Sequence, residues 1–145
     1  MTQASPFTEN SIDVVIAHFS IYTISDAEKR HQALKNMCFA LKPNGIFIVV
    51  CPSKNYDVGK ILKESIKIVR VKRGYFAAMI KKIILYPLTK YLGLNFIQKQ
   101  LKSGNWMAYS IEILSNELGR AGFATQPVKV LYGGGAYLIC GTKMR

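Results

Sequence analysis

IDVVIAHF at residues 12–19 and IFIVVC at residues 46–51 are the two stretches that decide the fold. Both are short, rich in β-branched residues and almost continuously apolar, which is typical of strands covered on both faces. Between them, SDAE at residues 25–28 matches a capping box, and apolar residues follow at helical spacing until KPNG at residues 42–45. A strand, a helix and a second strand in this order predict a parallel crossover unit and an α/β fold.

The C-terminal part of the chain predicts one more helix and two more strands. Ser110 precedes residues 111–121, whose apolar residues have helical spacing, and Gly122 ends the segment. PVKVLY at residues 127–132 and AYLICGT at residues 136–142 are joined by three glycines. So short a connection permits only an antiparallel hairpin. The predicted sheet therefore has two parallel strands and a C-terminal antiparallel hairpin.

Three short motifs resemble those of one enzyme family. SPFTENSIDVV at residues 5–15 is similar to the stretch that leads into the fourth strand of small-molecule methyltransferases. ALKPNG at residues 40–45 is similar to the helix end that follows in them, and AGF at residues 121–123 is similar to the element before their sixth strand. The sequence thus resembles the C-terminal half of a class I S-adenosylmethionine (SAM)-dependent methyltransferase. The resemblance implies a partial Rossmann-like sheet, SAM as cofactor and methyl transfer to a small-molecule acceptor.

The glycine-rich turn that holds SAM in this family, E/D-x-G-x-G-x-G between a strand and a helix, does not occur in the 145 residues. Gly133-Gly134-Gly135 precedes a strand, which is the position of a hairpin turn. The strand at residues 12–19 therefore lacks one neighbour and has an unpaired apolar edge, which favours pairing with another chain. We expect a truncated methyltransferase that forms a homodimer or docks to a missing N-terminal half. The alternative is a non-catalytic half-domain remnant that acts as a membrane- or partner-binding module.

The candidate site lies where the first strand ends, because ligands of open parallel sheets bind beyond the carboxyl ends of the strands. The resemblance implies that Ala17, His18 and Phe19 line the methionine portion of SAM and that Tyr22 and Thr23 face the substrate. Tyr109 is a further candidate for the substrate pocket. His18 is the candidate general base, since imidazole titrates near neutral pH. The alternative for His18 is a hydrogen-bonded residue at a strand end. The alternative for Phe19 and Tyr22 is ordinary packing under the following helix.

A basic insert interrupts the predicted core. Helical spacing predicts one helix over residues 58–71, which Gly74 interrupts, and a second over residues 75–86, which ends at Pro87. Residues 54–102 contain twelve Lys or Arg and two acidic residues, a net charge of +10. We therefore divide the chain into a methyltransferase core, residues 1–53 and 110–145, and a helical lid or insert, residues 54–109. One interpretation is a lid with six apolar side chains turned to the substrate: Phe76, Met79, Ile80, Ile83, Ile84 and Tyr86.

A second interpretation of the insert is an interfacial helix on an anionic membrane, which would suit a lipid-like substrate. Lys81 and Lys82 stand beside an apolar run, and Tyr75, Tyr91 and Trp106 are candidate interfacial aromatics. Basic and aromatic residues alternate in the insert, as they do on some nucleic-acid-binding surfaces, but no nucleic-acid-binding motif occurs. Nucleic acid is therefore the less favoured partner.

The remaining composition gives expectations about location and metals. We find no run of eighteen apolar residues and no signal-peptide pattern, so we expect a cytoplasmic protein, with peripheral membrane contact through residues 54–109 as the alternative. The three cysteines are dispersed among apolar neighbours, and there are two histidines. We therefore expect reduced thiols and no metal site.

Overall fold

The structure of the protein is a computed structural model that describes residues 7–144, apart from the side chain of Leu92. Ser5 and Pro6, which begin the first motif, lie outside the described residues. The strands are β1 Ile12–His18, β2 Leu41–Pro52, β3 Phe123–Thr125, β4 Lys129–Leu131 and β5 Ala136–Lys143. The α-helices are α1 Ala27–Ala40, α2 Val58–Ile80, α3 Tyr86–Thr89, α4 Asn95–Lys102 and α5 Ile111–Arg120. Short 3-10 turns span Ile21–Thr23 and Tyr132–Gly134, and π turns span Lys81–Leu85 and Lys90–Leu94.

The described strands form one mixed sheet in the order β1-β2-β5-β3, with β4 also paired to β5. β1 and β2 are parallel, and β5 is antiparallel to β2, β3 and β4. The α/β class, the parallel pair and the terminal hairpin are therefore confirmed. The sequence missed β3, a strand of three residues that is too short for a periodic pattern.

The core lies on one face of the sheet, beneath α1 and α5. Phe47, Val49 and Ile139 point from the sheet into this core and meet Leu34 of α1 and Leu114 of α5. Side chains alternate between the two faces of a strand, so the neighbours of these sheet residues belong to the opposite face.

The opposite face of the sheet is partly uncovered at its β1 end. Val14 pairs with Ile46 and Ile16 pairs with Ile48 across the two parallel strands. Val14, Ile16 and Ile46 are exposed, and 66% of Ile16 is accessible. Among residues 7–144, β1 has β2 as its one strand neighbour. The structure therefore presents an open strand edge beside an open apolar face.

Two helix boundaries refine the sequence prediction. Within the SDAE motif predicted to start the first helix, the N-cap of α1 is Asp26, one residue after the capping-box position Ser25, and its carboxylate accepts from the backbone N–H groups of Glu28 and Lys29 at 2.9 and 3.0 Å. A carboxylate oxygen accepts hydrogen bonds from the first N–H groups of a helix, and its negative charge is stabilised by the positive end of the helix dipole. Pro87 does not end the helical segment, because the preceding π turn shifts the pairing so that the Tyr86 N–H donates to the Lys81 carbonyl oxygen.

Residues 58–91 form a helical hairpin. Gly74, with φ of 84°, breaks α2 inside its range, as the sequence predicted. The chain then returns along itself, so that the Tyr86 hydroxyl donates to the Ser65 hydroxyl at 2.7 Å. We refer to residues 58–91 as the helical hairpin and to residues 70–76 as its tip.

Candidate functional site

The carboxyl end of β1 is marked by an unusual backbone conformation. Phe19 directly follows the strand and has φ of 49°, while its N–H still donates to the Val50 carbonyl oxygen at 3.0 Å. A bulky residue in the left-handed region costs free energy and persists only where the surroundings enforce it. The chain therefore turns sharply at the point where the sequence places the ligand edge.

The three residues predicted to line the cofactor have different environments. Ala17 is buried in the core, His18 is exposed, and Phe19 is partly buried. The rings of His18 and Phe19 meet edge to face, with 4.7 Å between their centroids. The His18 imidazole makes no hydrogen bond with the described residues, so its ring nitrogens are open to an external ligand. The role of His18 as a general base and its alternative, a hydrogen-bonded residue at a strand end, both stay predictions.

Aromatic rings extend from Phe19 in a continuous cluster. Tyr22 lies 6.1 Å from Phe19 and 5.3 Å from Trp106, measured between ring centroids and with nearly perpendicular planes. Trp106 meets Phe96 of α4 at 5.5 Å, and Tyr132 approaches Phe19 at 6.1 Å. We call the following group the aromatic cluster: His18, Phe19, Tyr22, Phe96, Trp106 and Tyr132. It joins the end of β1 to the insert and to the terminal hairpin.

The two residues predicted to face the substrate belong to the 3-10 turn after β1. Tyr22 is buried, and its carbonyl oxygen accepts from the Met107 N–H at 3.0 Å. Burial, with a smaller contribution from Cys51, raises the pKa of the Tyr22 phenol. Thr23 is exposed, and its hydroxyl donates to the Ser20 carbonyl oxygen at 2.7 Å. Thr23 is therefore available to a ligand, whereas Tyr22 presents its ring within the aromatic cluster.

Tyr109 lies beneath the site, in a buried polar network. Its side chain has no exposed surface, and its hydroxyl donates to Glu117 Oε2 at 2.9 Å. Burial, together with the neighbouring Glu117 carboxylate, strongly raises the pKa of this phenol. The assignment of Tyr109 to substrate binding stays a prediction. In this structure its hydroxyl is engaged within the protein.

Arg30 is the cation of the same network. It is 4% exposed, and its guanidinium contacts the Glu117 carboxylate at 2.7 Å through Nη2. Its Nη1 donates to the Ile24 carbonyl oxygen at 2.7 Å. The hydrogen-bonded carboxylate raises the pKa of Arg30. The network therefore ties α1 to α5 and holds the segment that follows Tyr22 and Thr23.

The interior next to the site favours neutral side chains. Burial, reinforced by the negative charge of Glu117, raises the pKa of the Cys51 thiol to about 12. Burial, reinforced by Tyr22, likewise raises the pKa of the Tyr56 phenol to about 12. Desolvation penalises the charged form in both cases. Within residues 7–144, no group of three or more His, Cys, Asp or Glu is placed to hold a metal ion.

The glycine loop at residues 133–135 packs against α2. The Ser53 hydroxyl donates to the Gly134 carbonyl oxygen, and the Ser53 N–H donates to that of Gly135. A Cβ atom on Gly135 would lie 2.9 Å from Ile61 Cδ1. Ser53 and α2 therefore already occupy the surface of this loop. The assignment of Ala17, His18 and Phe19 to the cofactor stays a prediction, and Ala17 is buried in the core. The described residues provide no glycine-rich turn to hold the cofactor.

Sequence reasoning missed three members of the aromatic cluster. Phe96 and Tyr132 carried no signal, because they are distant in sequence from β1 and belong to no motif. Trp106 was grouped with the interfacial aromatics of the insert, yet it is partly buried against Tyr22. The insert therefore reaches the site through residues 95–107. Of the six apolar residues proposed for a lid, Tyr86 is buried against Ser65 and the other five are exposed.

The N-terminal third of the chain matches a known family. Residues 1–49 match a family model described as a methyltransferase domain. The matched range contains β1, α1 and most of β2, and it includes Ala17, His18 and Phe19. No curated protein sequence matches the chain.

Solved structures match almost the whole chain in fold. A protein of Bordetella parapertussis described as a possible exported protein gives a TM-score of 0.60 at 11% identity, covering 99% of this chain and 43% of that one. A Haloferax volcanii methyltransferase in complex with the Trm112 methyltransferase activator gives 0.55 at 13% identity, covering 97% and 57%. A Thermotoga maritima SAM-dependent methyltransferase described as a possible histamine N-methyltransferase gives 0.52 at 18% identity, covering 95% and 59%.

These matches confirm the resemblance to class I SAM-dependent methyltransferases and the α/β fold. At such low identities the solved structures bear on the fold alone. The chain spans between 43% and 59% of the length of these three structures.

Proposed function

We propose that the chain forms the C-terminal half of a SAM-dependent methyltransferase site, which a second polypeptide segment completes by supplying the glycine-rich cofactor loop. The observation that carries the proposal is the aromatic cluster at the carboxyl end of β1, beside an open strand edge and an open sheet face. The family match over residues 1–49 supports methyl transfer as the class of reaction.

The open surface of β1 supports a second segment. Val14, Ile16 and Ile46 are β-branched residues exposed on one face of the sheet, and the adjacent edge of β1 has no strand neighbour within residues 7–144. An apolar face beside an unpaired edge is a surface that proteins normally cover. A strand laid along β1, followed by helices over this face, would cover both features. A homodimer through the same face is the alternative.

The end of β1 is the proposed wall for the methionine portion of SAM. When bound, SAM supplies a methyl group on a positively charged sulfonium, which is already activated for transfer. Aromatic rings attract cations through their negative faces, so Phe19 and its neighbours in the aromatic cluster suit this part of the cofactor. The contribution of these residues would be to align the reactants and exclude water.

His18 and Thr23 are the proposed polar groups on the acceptor side. His18 would accept a proton from a substrate nucleophile that carries one, since its imidazole is exposed and has no hydrogen-bond partner among the described residues. Thr23 offers a hydroxyl, and Tyr22 offers its ring. The rings of Phe19 and Tyr22 beside these groups support a small acceptor with an apolar, lipid-like part. We propose a cytoplasmic location for this reaction.

Trp106 provides a direct test, because it is the single tryptophan of the chain and belongs to the aromatic cluster. We expect SAM and S-methylmethionine, which shares its sulfonium end, to change Trp106 fluorescence in a saturable way at millimolar concentration. Adenosine should produce no change, because the glycine-rich turn that would hold the adenosine portion of SAM is not in the chain.

Phe19→Ala should weaken both responses, whereas Phe76→Ala, which removes an exposed ring of the helical hairpin, should leave them unchanged. A response to adenosine without a response to S-methylmethionine would place the site elsewhere. No response to SAM at any concentration would refute the proposal that the end of β1 contacts the methionine portion of SAM.

A second candidate function is a non-catalytic membrane- or partner-binding module. The observation that favours it is the helical hairpin, whose exposed surface is both apolar and basic. In this case Trp106 would respond to none of the three compounds, while the helical hairpin would still bind its partner.

A further inference from the structure

We propose that the helical hairpin docks the protein on an anionic membrane surface, with its tip and its outward apolar strip in the interfacial region of the lipid. This inference does not depend on the proposed function. It would hold equally for an enzyme and for a non-catalytic module.

The tip of the hairpin is exposed and combines apolar with cationic side chains. Val71 is 81% exposed and Phe76 is 74% exposed, and Tyr75 beside them is also exposed. Lys72 and Arg73 lie between these residues and are exposed. Aromatic rings flanked by Lys or Arg are the side chains that settle at the headgroup level of a bilayer.

The returning arm carries the apolar surface away from the tip. Phe76, Ile80, Ile84 and Leu88 follow at intervals of four residues, and all four are exposed. Side chains four apart lie near one face of a helix, and the exposure of all four residues shows that this strip follows the outer side of the arm on both sides of the π turn at Lys81–Leu85. Ala78 and Tyr86, on the other side of the arm, are buried. The strip therefore points away from the protein.

The helical hairpin does not need the strip to hold its own shape. The Tyr86 hydroxyl donates to Ser65, and the guanidinium of Arg70 lies 5.4 Å from the centre of the Tyr75 ring. A groove between the two arms is lined by both apolar and basic residues, among them Ile66, Arg70, Met79 and Lys82. The arms thus contact each other through one side and leave the strip free.

The charge of this region selects an anionic occupant. The helical hairpin, residues 58–91, contains nine Lys or Arg and one acidic residue, Glu64. Basic residues near an anionic lipid surface each contribute to its attraction, and an amphipathic helix adds its apolar face. None of the described helices is long and apolar enough to cross a bilayer. The occupant that fits both the charge and the strip is the surface of an anionic membrane.

Flotation with lipid vesicles tests the proposal and separates binding from aggregation, because bound protein rises with the vesicles and aggregates sink. We expect the chain to float with vesicles of phosphatidylcholine and phosphatidylserine, and not with phosphatidylcholine alone. Lys72→Gln with Arg73→Gln should weaken binding about thirtyfold, from the ordinary contribution of two basic residues at such a surface. Lys29→Gln with Lys35→Gln removes the same charge from exposed positions of α1 and should have little effect.

The apolar strip has its own matched pair of variants. Ile84→Ser should weaken vesicle binding about fivefold, from partial loss of apolar burial, whereas Val130→Ser, at an exposed position of β4, should not. In Phe76→Trp, brominated acyl chains should quench the added fluorescence.

Three outcomes would overturn the proposal. The first is failure to float with anionic vesicles, and the second is an equal effect of the hairpin variants and their controls. The third is self-association that Ile84→Ser abolishes in the absence of vesicle binding, which would assign the strip to a second copy of the chain.

Discussion

Replacing Glu117 by leucine would leave the buried guanidinium of Arg30 without its carboxylate. The two side chains are 5% and 23% exposed, and their closest N–O distance is 2.7 Å. Removing one partner of a buried ion pair typically costs 3 to 5 kcal/mol, and the partial exposure of Glu117 favours the lower end, about 3 kcal/mol. Tyr109 loses its acceptor as well, which adds about 1 kcal/mol. We therefore expect Glu117→Leu to lower the free energy of unfolding by about 4 kcal/mol.

A substitution of the partner residue, Arg30, and a double variant together isolate the interaction between Arg30 and Glu117. Arg30→Met leaves a carboxylate that reaches water and still accepts from Tyr109, so we expect a loss of about 2 kcal/mol. In the double variant no buried charge remains, and we expect the loss to stay near 2 kcal/mol instead of the sum. The assay is urea unfolding followed by circular dichroism at equilibrium, with the slope m compared across variants.

A surface ion pair of the same length is the control. Lys42 Nζ and Asp13 Oδ1 are 2.8 Å apart, but their side chains are 46% and 77% exposed. Asp13→Ala should therefore cost less than about 1 kcal/mol. Losses that simply add in the Arg30 and Glu117 double variant, or a loss for Glu117→Leu as small as that for Asp13→Ala, would refute the buried-pair argument.

Three further predictions concern the open face, two glycines and one thiol. Ile16→Glu places a charge on the open face, and sedimentation velocity should then show a monomer where the parent chain self-associates; a parent chain that is monomeric at every concentration would contradict this. Gly45→Ala adds a Cβ atom 2.8 Å from the Lys42 carbonyl oxygen, so urea unfolding should show a loss of about 2 kcal/mol. Gly93→Ala, where nothing lies within 4 Å, should gain up to about 1 kcal/mol, and equal effects of the two would rule the close contact out. The Cys51 thiol has a pKa of about 12 in the folded protein against an ordinary 9.0. Below pH 9 the thiol is neutral in both the folded and the unfolded chain. Between pH 9 and 12 the unfolded chain loses this proton more readily than the folded protein, so the free energy of unfolding falls as the pH rises. Cys51→Ala should flatten the fall of Tm over that range, and an unchanged slope would show that this thiol is not the cause.

The sequence alone was sufficient for the first strand, the first helix and the second strand. IDVVIAHF and IFIVVC are strands, as their β-branched apolar runs predict, and the residues between them have helical spacing. The predicted cover on both faces is not found among the described residues, because Val14, Ile16 and Ile46 are exposed. Gly74 and Gly122 were predicted to interrupt and end helices, and both have positive φ. These features depend on residues that are close together in the chain, so a local pattern reveals them.

The site was only partly accessible to the same reasoning. The end of β1 could be located, because the carboxyl ends of parallel strands meet at one edge of a sheet. The partners of that edge could not be identified. Trp106 and Phe96 reach Tyr22 only through the packing of the insert, and the five exposed lid candidates show that apolar spacing does not reveal which way a helix faces.

The sequence by itself therefore determined the α/β class and the parallel strand pair, and it predicted the edge of the sheet where a ligand would bind. The tertiary structure alone decided that Arg30 is buried against Glu117, which is 87 residues away, that the Tyr109 hydroxyl is held by the same carboxylate, and that one apolar strip faces outward. The physical reason is that strand and helix formation follow from side chains a few residues apart, whereas burial and ion pairing depend on the packing of elements distant in the chain.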